Sequence, residues 1–246
     1  MSLAGKKKIA VLTGAGVSAE SGLATFRGNN GLWGKYDPDE VASIEGWYRN
    51  RRLVLNFYND LRRTLGEVKP NAAHYAIAAL EKEYSVTVIT QNVDNLHERA
   101  GSTKVLHLHG EATKVRPEDG IYDRTYSEEE VIDIGYDEVH FGDKAPNGSQ
   151  LRPHIVFFGE AVPMIEPAAE AVKEADIFVV VGTSLNVYPA AGLIAYTRKN
   201  VPVYLIDPAD VMGSGYRDVT HIKAGASEGM RQLVAILKDS PFGDKQ

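Results

Sequence analysis

A glycine-rich turn, Gly14-Ala15-Gly16-Val17-Ser18-Ala19-Glu20-Ser21-Gly22, follows directly on the apolar run Ile9-Ala10-Val11-Leu12. Two polar segments, Thr90-Gln91-Asn92-Val93-Asp94 and His107-Leu108-His109-Gly110, arrive much later in the chain. A strand turning straight into a helix exposes backbone N–H groups, and glycines let a pyrophosphate approach them. Glycine also serves such turns for steric reasons alone, so a bare Gly-x-Gly carries both readings. Ser18, Ser21 and Gly22 extend the turn here, and Phe26-Arg27-Gly28 adds a cation and an aromatic cover. Gln91, Asn92 and Asp94 are expensive to bury without partners, with a helix N-cap role for Asn92 or Asp94 as the plain alternative. His109 has the side chain of a general base at neutral pH, and spacing alone does not choose between it and His107. The combination reads as chemistry on a dinucleotide. Ordinary hydride transfer is disfavoured: a dehydrogenase would carry an acidic residue about 20 positions past the turn, at the end of a second strand, where this chain has Gly31-Leu32-Trp33-Gly34.

These groups must be held at strand ends. Apolar, β-branched runs at 8–12, 86–90, 155–158, 176–181 and 201–206 alternate with helix-like stretches at 71–84, 165–175, 190–199 and 227–238. That alternation predicts an α/β fold, a doubly wound parallel Rossmann-like sheet with helices on both faces. Two insertions interrupt it. Residues 23–70 carry Trp33, Trp47, Tyr48, Phe57 and Tyr58 in a helical, aromatic-rich region, and 111–151 is acidic and turn-rich, with Pro146-Asn147-Gly148. Together they are expected to form a smaller module beside the main sheet.

With 246 residues, 43% of them hydrophobic, the chain can bury one sizeable core. A net charge of -6 argues against nucleic acid as a partner. No apolar run reaches the length of a membrane span and no signal-peptide core follows Lys6-Lys7-Lys8, so the expected location is cytoplasmic, with no membrane partner. The chain has no cysteine, which removes disulfides, thiolate metal sites and a cysteine nucleophile.

Taken in order, the turn at 14–22 with Phe26-Arg27, then Thr90-Gln91-Asn92-Val93-Asp94-Asn95-Leu96-His97, then His109-Gly110, resemble the sirtuin family of NAD-dependent protein lysine deacylases. Arg152-Pro153-His154-Ile155-Val156-Phe157-Phe158-Gly159-Glu160 and Gly182-Thr183-Ser184 with Val187-Tyr188-Pro189-Ala190-Ala191 complete the set. The likeness is nearest to the bacterial desuccinylase/deacetylase type. It runs from Ile9 to the C-terminal helix and implies one catalytic domain over 1–246. It implies that NAD is consumed as a co-substrate: the acyl-lysine carbonyl oxygen attacks the nicotinamide ribose, nicotinamide leaves, and His109 as base helps the 2'-hydroxyl attack the resulting imidate. The products would be free lysine, nicotinamide and O-acyl-ADP-ribose, and the partners acyl-lysine proteins.

The resemblance also distributes roles. Asn92 and Asp94 would order the nicotinamide end, Gln91 would contact ribose, and Phe26, Val156 and Phe158 would line an apolar tunnel. Gly14, Ala15, Gly16, Ser18, Glu20, Ser21, Gly22, Thr25, Arg27, Trp33, Val93, Gly182, Thr183, Ser184, Asp207 and Ala226 complete the expected cofactor contacts. Gly159-Glu160 and Asn186-Val187-Tyr188 would sandwich the substrate peptide as an added strand. Asp207 stands where the family usually has asparagine; a carboxylate there disfavours a 2'-phosphate, so NAD rather than NADP is expected. Ala42 and Tyr58 match positions of sirtuins that remove succinyl or malonyl groups. There an arginine follows the tyrosine by three residues, whereas here Leu61 holds that place and the arginine is Arg62. Arg62 either reaches the same pocket one residue round the helix, or faces elsewhere and leaves a pocket for neutral acyl chains. Most sirtuins hold a structural zinc with four cysteines in the interval 111–151. None is present here, no zinc is expected, and Asp137, His140 and Asp143 read as solvated. Packing by Ile121, Tyr122, Tyr126, Val131, Ile132 and Tyr136 is the expected substitute. Two rival functions share the same residues, a protein mono-ADP-ribosyltransferase and a non-catalytic NAD or ADP-ribose sensor; retention of Asn92, Asp94 and His109 favours the deacylase.

Overall fold

The computed structural model describes residues 5–23, 35–118, 128–183, 185, 187–209 and 219–239. Its main sheet is built from β1 (Lys8–Thr13), β2 (Ser85–Thr90), β3 (Val105–His107), β7 (Ile177–Val181), β8 (Val203–Ile206) and β9 (Val219–Ile222). They run in the order β3-β2-β1-β7-β8-β9, every neighbouring pair parallel. The near-continuous apolar character of these strands follows from burial on both faces. Ile9 and Val11 of β1 join Val179 of β7 in one core, closed by α5 (Ala72–Ala79) and α8 (Ala226–Asp239). The alternate residues Ala10, Leu12, Phe178 and Val180 face a second core closed by α7 (Ile165–Glu174) and the 3-10 turn Ala190–Tyr196.

The second insertion and its flanks form a three-stranded antiparallel sheet of β4 (Gly110–Pro117), β5 (Ile132–Asp133) and β6 (Leu151–Ile155), in the order β5-β4-β6. Against it pack α2 (Pro38–Val41), α3 (Ile44–Arg49) and the long α4 (Arg51–Glu67), sharing a core of Trp47, Phe57, Tyr58, Val115, Val139 and Phe157. The remaining helices, α1 (Ala15–Ala19) and α6 (Leu96–Ala100), follow β1 and β2 directly. Among the described residues no helix is long and apolar enough to cross a membrane.

Three expectations need correction. The run 155–158 is not a strand of the parallel sheet: the strand ends at Ile155 and belongs to the small sheet, while Phe157 is buried in an extended loop. A short apolar run reports burial, and burial does not distinguish the two. The expected helix at 190–199 is a 3-10 segment ending at Tyr196. The module's apolar filling also differs. Val139 is in its core, whereas Tyr136 is exposed and bonds Asn95 and Arg99 through its hydroxyl; Ile121, Tyr122 and Tyr126 lie outside the described residues. Charged groups do part of the fastening: Arg51 reaches Glu118 with its Nε at 3.0 Å while lying over Trp47 and Tyr48.

Candidate functional site

In the main sheet β1 leads to β2 on one side while β7 lies on its other side, so the strand order reverses between β1 and β7. A crevice opens at the carboxyl ends of strands at such a point. Both strands end there in glycine turns that interlock. The Gly14 N–H donates to the Val181 carbonyl at 3.1 Å and the Gly16 N–H to the Gly182 carbonyl at 2.9 Å. A Cβ on Gly16 would stand 2.7 Å from Gly182 Cα, and one on Gly182, whose φ is +62°, 2.4 Å from the Val17 nitrogen. These glycines therefore let two turns touch, and the N–H groups of Gly14 and Gly16 are already spent on that contact. The steric reading of the motif holds for these two donors.

The polar segment after β2 folds back over this junction. Asn92 donates through Nδ2 to the Gly14 carbonyl at 3.1 Å and to Ser18 Oγ at 3.2 Å. Ser18 donates to Asp94 Oδ2 at 2.9 Å, and the other Asp94 oxygen accepts from the Leu96 N–H at the start of α6. Asp94 is thus both a network member and the acceptor of a short turn into α6; burial raises its pKa against those two hydrogen bonds. Gln91 Nε2 donates to Thr183 Oγ1 at 3.0 Å, joining the β2 end to the β7 end.

Behind this layer stand residues that the sequence reading did not single out. His74 accepts the Asn71 N–H at Nδ1, so its Nε2–H faces Ser18 Oγ at 3.4 Å. Thr13 donates to Thr90 and faces His97 Nε2 at 3.0 Å. The His74 and His97 rings meet edge to face, and burial lowers their pKa values to about 4 and about 3, so both are neutral. A legible signal existed: Thr13 and Thr90 close adjacent apolar strands, where a parallel sheet gathers its polar ends.

His107 closes β3 and His109 stands two residues on, before the sharp Gly110. They hold consecutive carbonyls: His109 Nδ1 meets the Gln91 carbonyl at 2.9 Å and His107 Nδ1 the Asn92 carbonyl at 3.2 Å. Their environments differ. His109 is lowered by burial, with the Gln91 carbonyl acting weakly the other way, and its Nε2 has no protein partner among the described residues. His107 also bonds Glu98 through Nε2 at 2.8 Å, and its pKa is raised.

The other expected contacts scatter more widely. Glu20 accepts from the Ser227 N–H at the start of α8, Ser21 accepts from Asn71, and Gly22 sits at φ +94°. The Val93 carbonyl accepts from Ala112. Asp207 caps the Ala209 N–H and Ala226 is buried in α8. The Val156 N–H donates to the His109 carbonyl at 3.0 Å, which puts this tunnel candidate against the histidine's own backbone. Phe158, half exposed, donates to the Ala42 carbonyl and accepts from the Ile44 N–H, so the Phe158–Gly159 turn is stitched to the α2–α3 corner. A cavity of about 520 Å³ opens there, lined by Asp39, Glu45, Phe158 and Gly159 among others, and shares no residue with the Asn92 network. Glu160 turns inward: its carboxylate takes Arg152 at 2.7 and 2.9 Å and the Phe157 N–H. Val187 is half-buried and Tyr188 exposed. Thr25, Phe26, Arg27, Trp33, Ser184 and Asn186 lie outside the described residues.

Arg62 is fully buried on α4. One terminal nitrogen donates to the Ala112 carbonyl at 2.9 Å and the other to Asn59 Oδ1, while Nε has no partner among the described residues. Burial lowers its pKa to about 10. Tyr58, 3% exposed, packs on Phe57 and Phe157. The interval 111–151 offers no thiolate to a zinc, His140 is exposed beside Glu138, and among the described residues no group of three potential metal ligands comes together.

A family model described as the Sir2 family matches residues 14–189. A protein of Bacteroides thetaiotaomicron named NAD-dependent protein deacylase is 54% identical over 235 residues, covering 96% of this chain and 100% of that protein. A solved Sir2 homologue, a mutant in complex with ADP ribose, has a TM-score of 0.83 at 34% identity over 99% of this chain and 97% of its own. Another, a Sir2 homologue in complex with NAD, has a TM-score of 0.81 at 35% identity over 96% and 91%.

Proposed function

The chain belongs to the Sir2 family and is an NAD-dependent protein deacylase, and from that premise we propose that His109 is its general base, acting on acyl-lysine proteins whose acyl group is short and neutral. The observation that carries the first part is the Gln91 carbonyl on His109 Nδ1. A carbonyl can only accept, so Nδ1 carries the hydrogen and Nε2 keeps its lone pair. Burial lowers the pKa, which keeps that lone pair free at neutral pH. NAD, when bound, supplies an electrophilic ribose carbon and a leaving group. The interlocked β1 and β7 ends, with Asn92, Asp94 and Ser18 already cross-linked, would receive its nicotinamide end without reorganising. Gln91 and Thr183 face each other at 3.0 Å and would offer their polar atoms to ribose or phosphate. Asp207, beyond β8, would accept from ribose hydroxyls and repel a 2'-phosphate. The substrate strand would pair at Gly159, since both main-chain groups of Phe158 are engaged by Ala42 and Ile44.

The acyl preference follows from Arg62. A carboxylate-bearing chain would have to take its guanidinium from the Ala112 carbonyl, which would lose this buried donor, and from Asn59, whose Oδ1 would keep only the Val139 N–H. The test is nicotinamide release from NAD with matched acetyl-lysine and succinyl-lysine peptides, for the wild type and His109→Ala. Peptide-dependent release, faster with acetyl and lowered about 100-fold or more in the variant, is the expected result. A succinyl preference would overturn the acyl reading, undiminished turnover in His109→Ala would overturn the base, and release without any peptide would favour ADP-ribosyl transfer.

A further inference from the structure

Both ring nitrogens of His107 face acceptors. Nδ1 lies 3.2 Å from the Asn92 carbonyl oxygen and Nε2 lies 2.8 Å from Glu98 Oε1. The carbonyl has no hydrogen to give, so Nδ1 must carry one. A neutral ring would then aim its Nε2 lone pair at Glu98. Glu98 keeps 38% of its side chain exposed, and its pKa is lowered, its burial being outweighed by the bond to His107 and the charges of His107 and Lys114. The shared proton therefore resides on the imidazole, and only the doubly protonated ring satisfies both contacts.

We infer that His107 works as an imidazolium positioning residue, tying the main chain of Asn92 to Glu98 on α6 so that the Asn92–Asp94 segment stays aimed at the nicotinamide end of the site. This rests on the functional reading above for what the segment does, though not for the charge on the ring. The surroundings agree. The charged and titratable groups acting on His107 are Asp94 in the segment itself, His97 and Glu98 on α6, Glu111 on β4 and His154 on β6; Lys114 on β4 acts on Glu98 and Glu111. Glu111 Oε1 stands 4.0 Å from Nε2, and the other oxygen of that carboxylate, Oε2, pairs with Lys114 at 2.7 Å. Burial would lower the ring's pKa. The Glu98 bond and charge, then Glu111 and the Asn92 carbonyl, outweigh it. The two histidines of the His-Leu-His-Gly segment thus divide the work: His109 must be neutral and His107 charged. Activity would then be bounded on the acid side by His109 and on the alkaline side by His107.

The experiment combines nitrogen-15 NMR of the histidine rings in the resting protein with pH–rate profiles, for the wild type, Glu98→Gln and His107→Gln. His107→Gln assigns the signal. Expected are two protonated ring nitrogens on His107 at about pH 7.5, converting to one in Glu98→Gln, together with an alkaline limb of kcat that falls about one pH unit or more earlier in Glu98→Gln. In His107→Gln that limb is expected to disappear at a reduced plateau, with KM for the peptide and the acid limb unchanged. A neutral His107 at that pH overturns the proposal. So does a wild-type alkaline limb retained in both variants, since a merely structural histidine would not move it. Failure of the wild type to release nicotinamide with acyl peptide would overturn the function assigned to the segment, and the NMR arm reads the ring's charge without turnover.

Discussion

At His109 the pKa shift has a direct kinetic consequence. As the proposed base, His109 must be deprotonated to act, and burial lowers its pKa below the ordinary 6.5, so the working form persists into mildly acid solution. The acid limb of kcat/KM is expected below pH 6.5 and to report this free-enzyme value; a limb above that value would mean that another group supplies the proton acceptor. Arg62 behaves differently. Its substitution by Ala removes the donor to the Ala112 carbonyl and one of the two donors to Asn59 Oδ1, and it empties a fully buried volume. The Ala112 acceptor left without this donor costs about 1–3 kcal/mol, and the void adds to it. Arg62→Ala is expected to lose on the order of 3 kcal/mol in denaturant unfolding while the ratio of acetyl to succinyl turnover stays put. A changed ratio in a variant of unchanged stability would place the guanidinium in the acyl pocket after all.

The elements that carry the site were legible to different degrees, for physical reasons. β1, β2, β7 and β8 are buried on both faces and announce themselves as apolar runs. The edge strands Val105–His107 and Val219–Ile222 are short and half-buried, so no such run marks them. Asn92 and Asp94 stood out in the sequence because carboxyl ends of strands gather polar groups, and the structure joins the two through Ser18; His109 stood out as a histidine before a glycine. His74 and Thr13 did not stand out, and His97 did so only as the end of a motif with no role attached, because a buried partner is defined by what lies across the sheet, which sequence distance hides. Of the two readings the glycines carried, the steric one accounts for the N–H groups of Gly14 and Gly16, which close on Val181 and Gly182 across the sheet. Helix packing yields a test of sign. In α8 a Cβ at Gly229 would stand 2.1 Å from Ile206 Cγ2, a stiff branched side chain. Overpacking costs about 1–3 kcal/mol, against a gain of about 1 kcal/mol in helix propensity. At Gly66 in α4 the same atom would meet the Tyr136 ring at an ordinary 3.5 Å. Gly229→Ala is therefore expected to destabilise, and Gly66→Ala to stabilise by about 0.5 kcal/mol. Denaturation midpoints decide it, and equal signs would refute the packing argument.

Across the whole molecule, buried histidines couple the fold to pH. His74 and His97 sit beneath the Ser18–Asn92–Asp94 network, and His154 is buried on β6 of the small sheet. Burial is the leading cause that lowers them to about 4, about 3 and about 3, from an unfolded value near 6.5. Above pH 6.5 both states hold these rings neutral, and stability is independent of them. Below it the unfolded chain takes up protons that the fold refuses, so stability falls with pH until the folded values are reached. Each such ring contributes a slope of about 1.4 kcal/mol per pH unit, and three acting together on the order of 4 kcal/mol per unit. His107, whose folded pKa is raised, works in the opposite sense: its contribution is fully present below 6.5 and is lost as pH rises through its folded value. One ring against three cannot reverse the trend between pH 6 and 4, roughly the window in which the three differ from the unfolded chain. Urea denaturation at about pH 7.5 and about pH 5.5 is expected to show a marked loss of stability at the lower value, His109 being lowered in the same sense, and a smaller loss in a His154→Gln variant. Equal stability at the two values would mean that these rings take up protons in the folded protein, and the neutral network assigned beneath Asn92 and Asp94 would have to be redrawn with charged members.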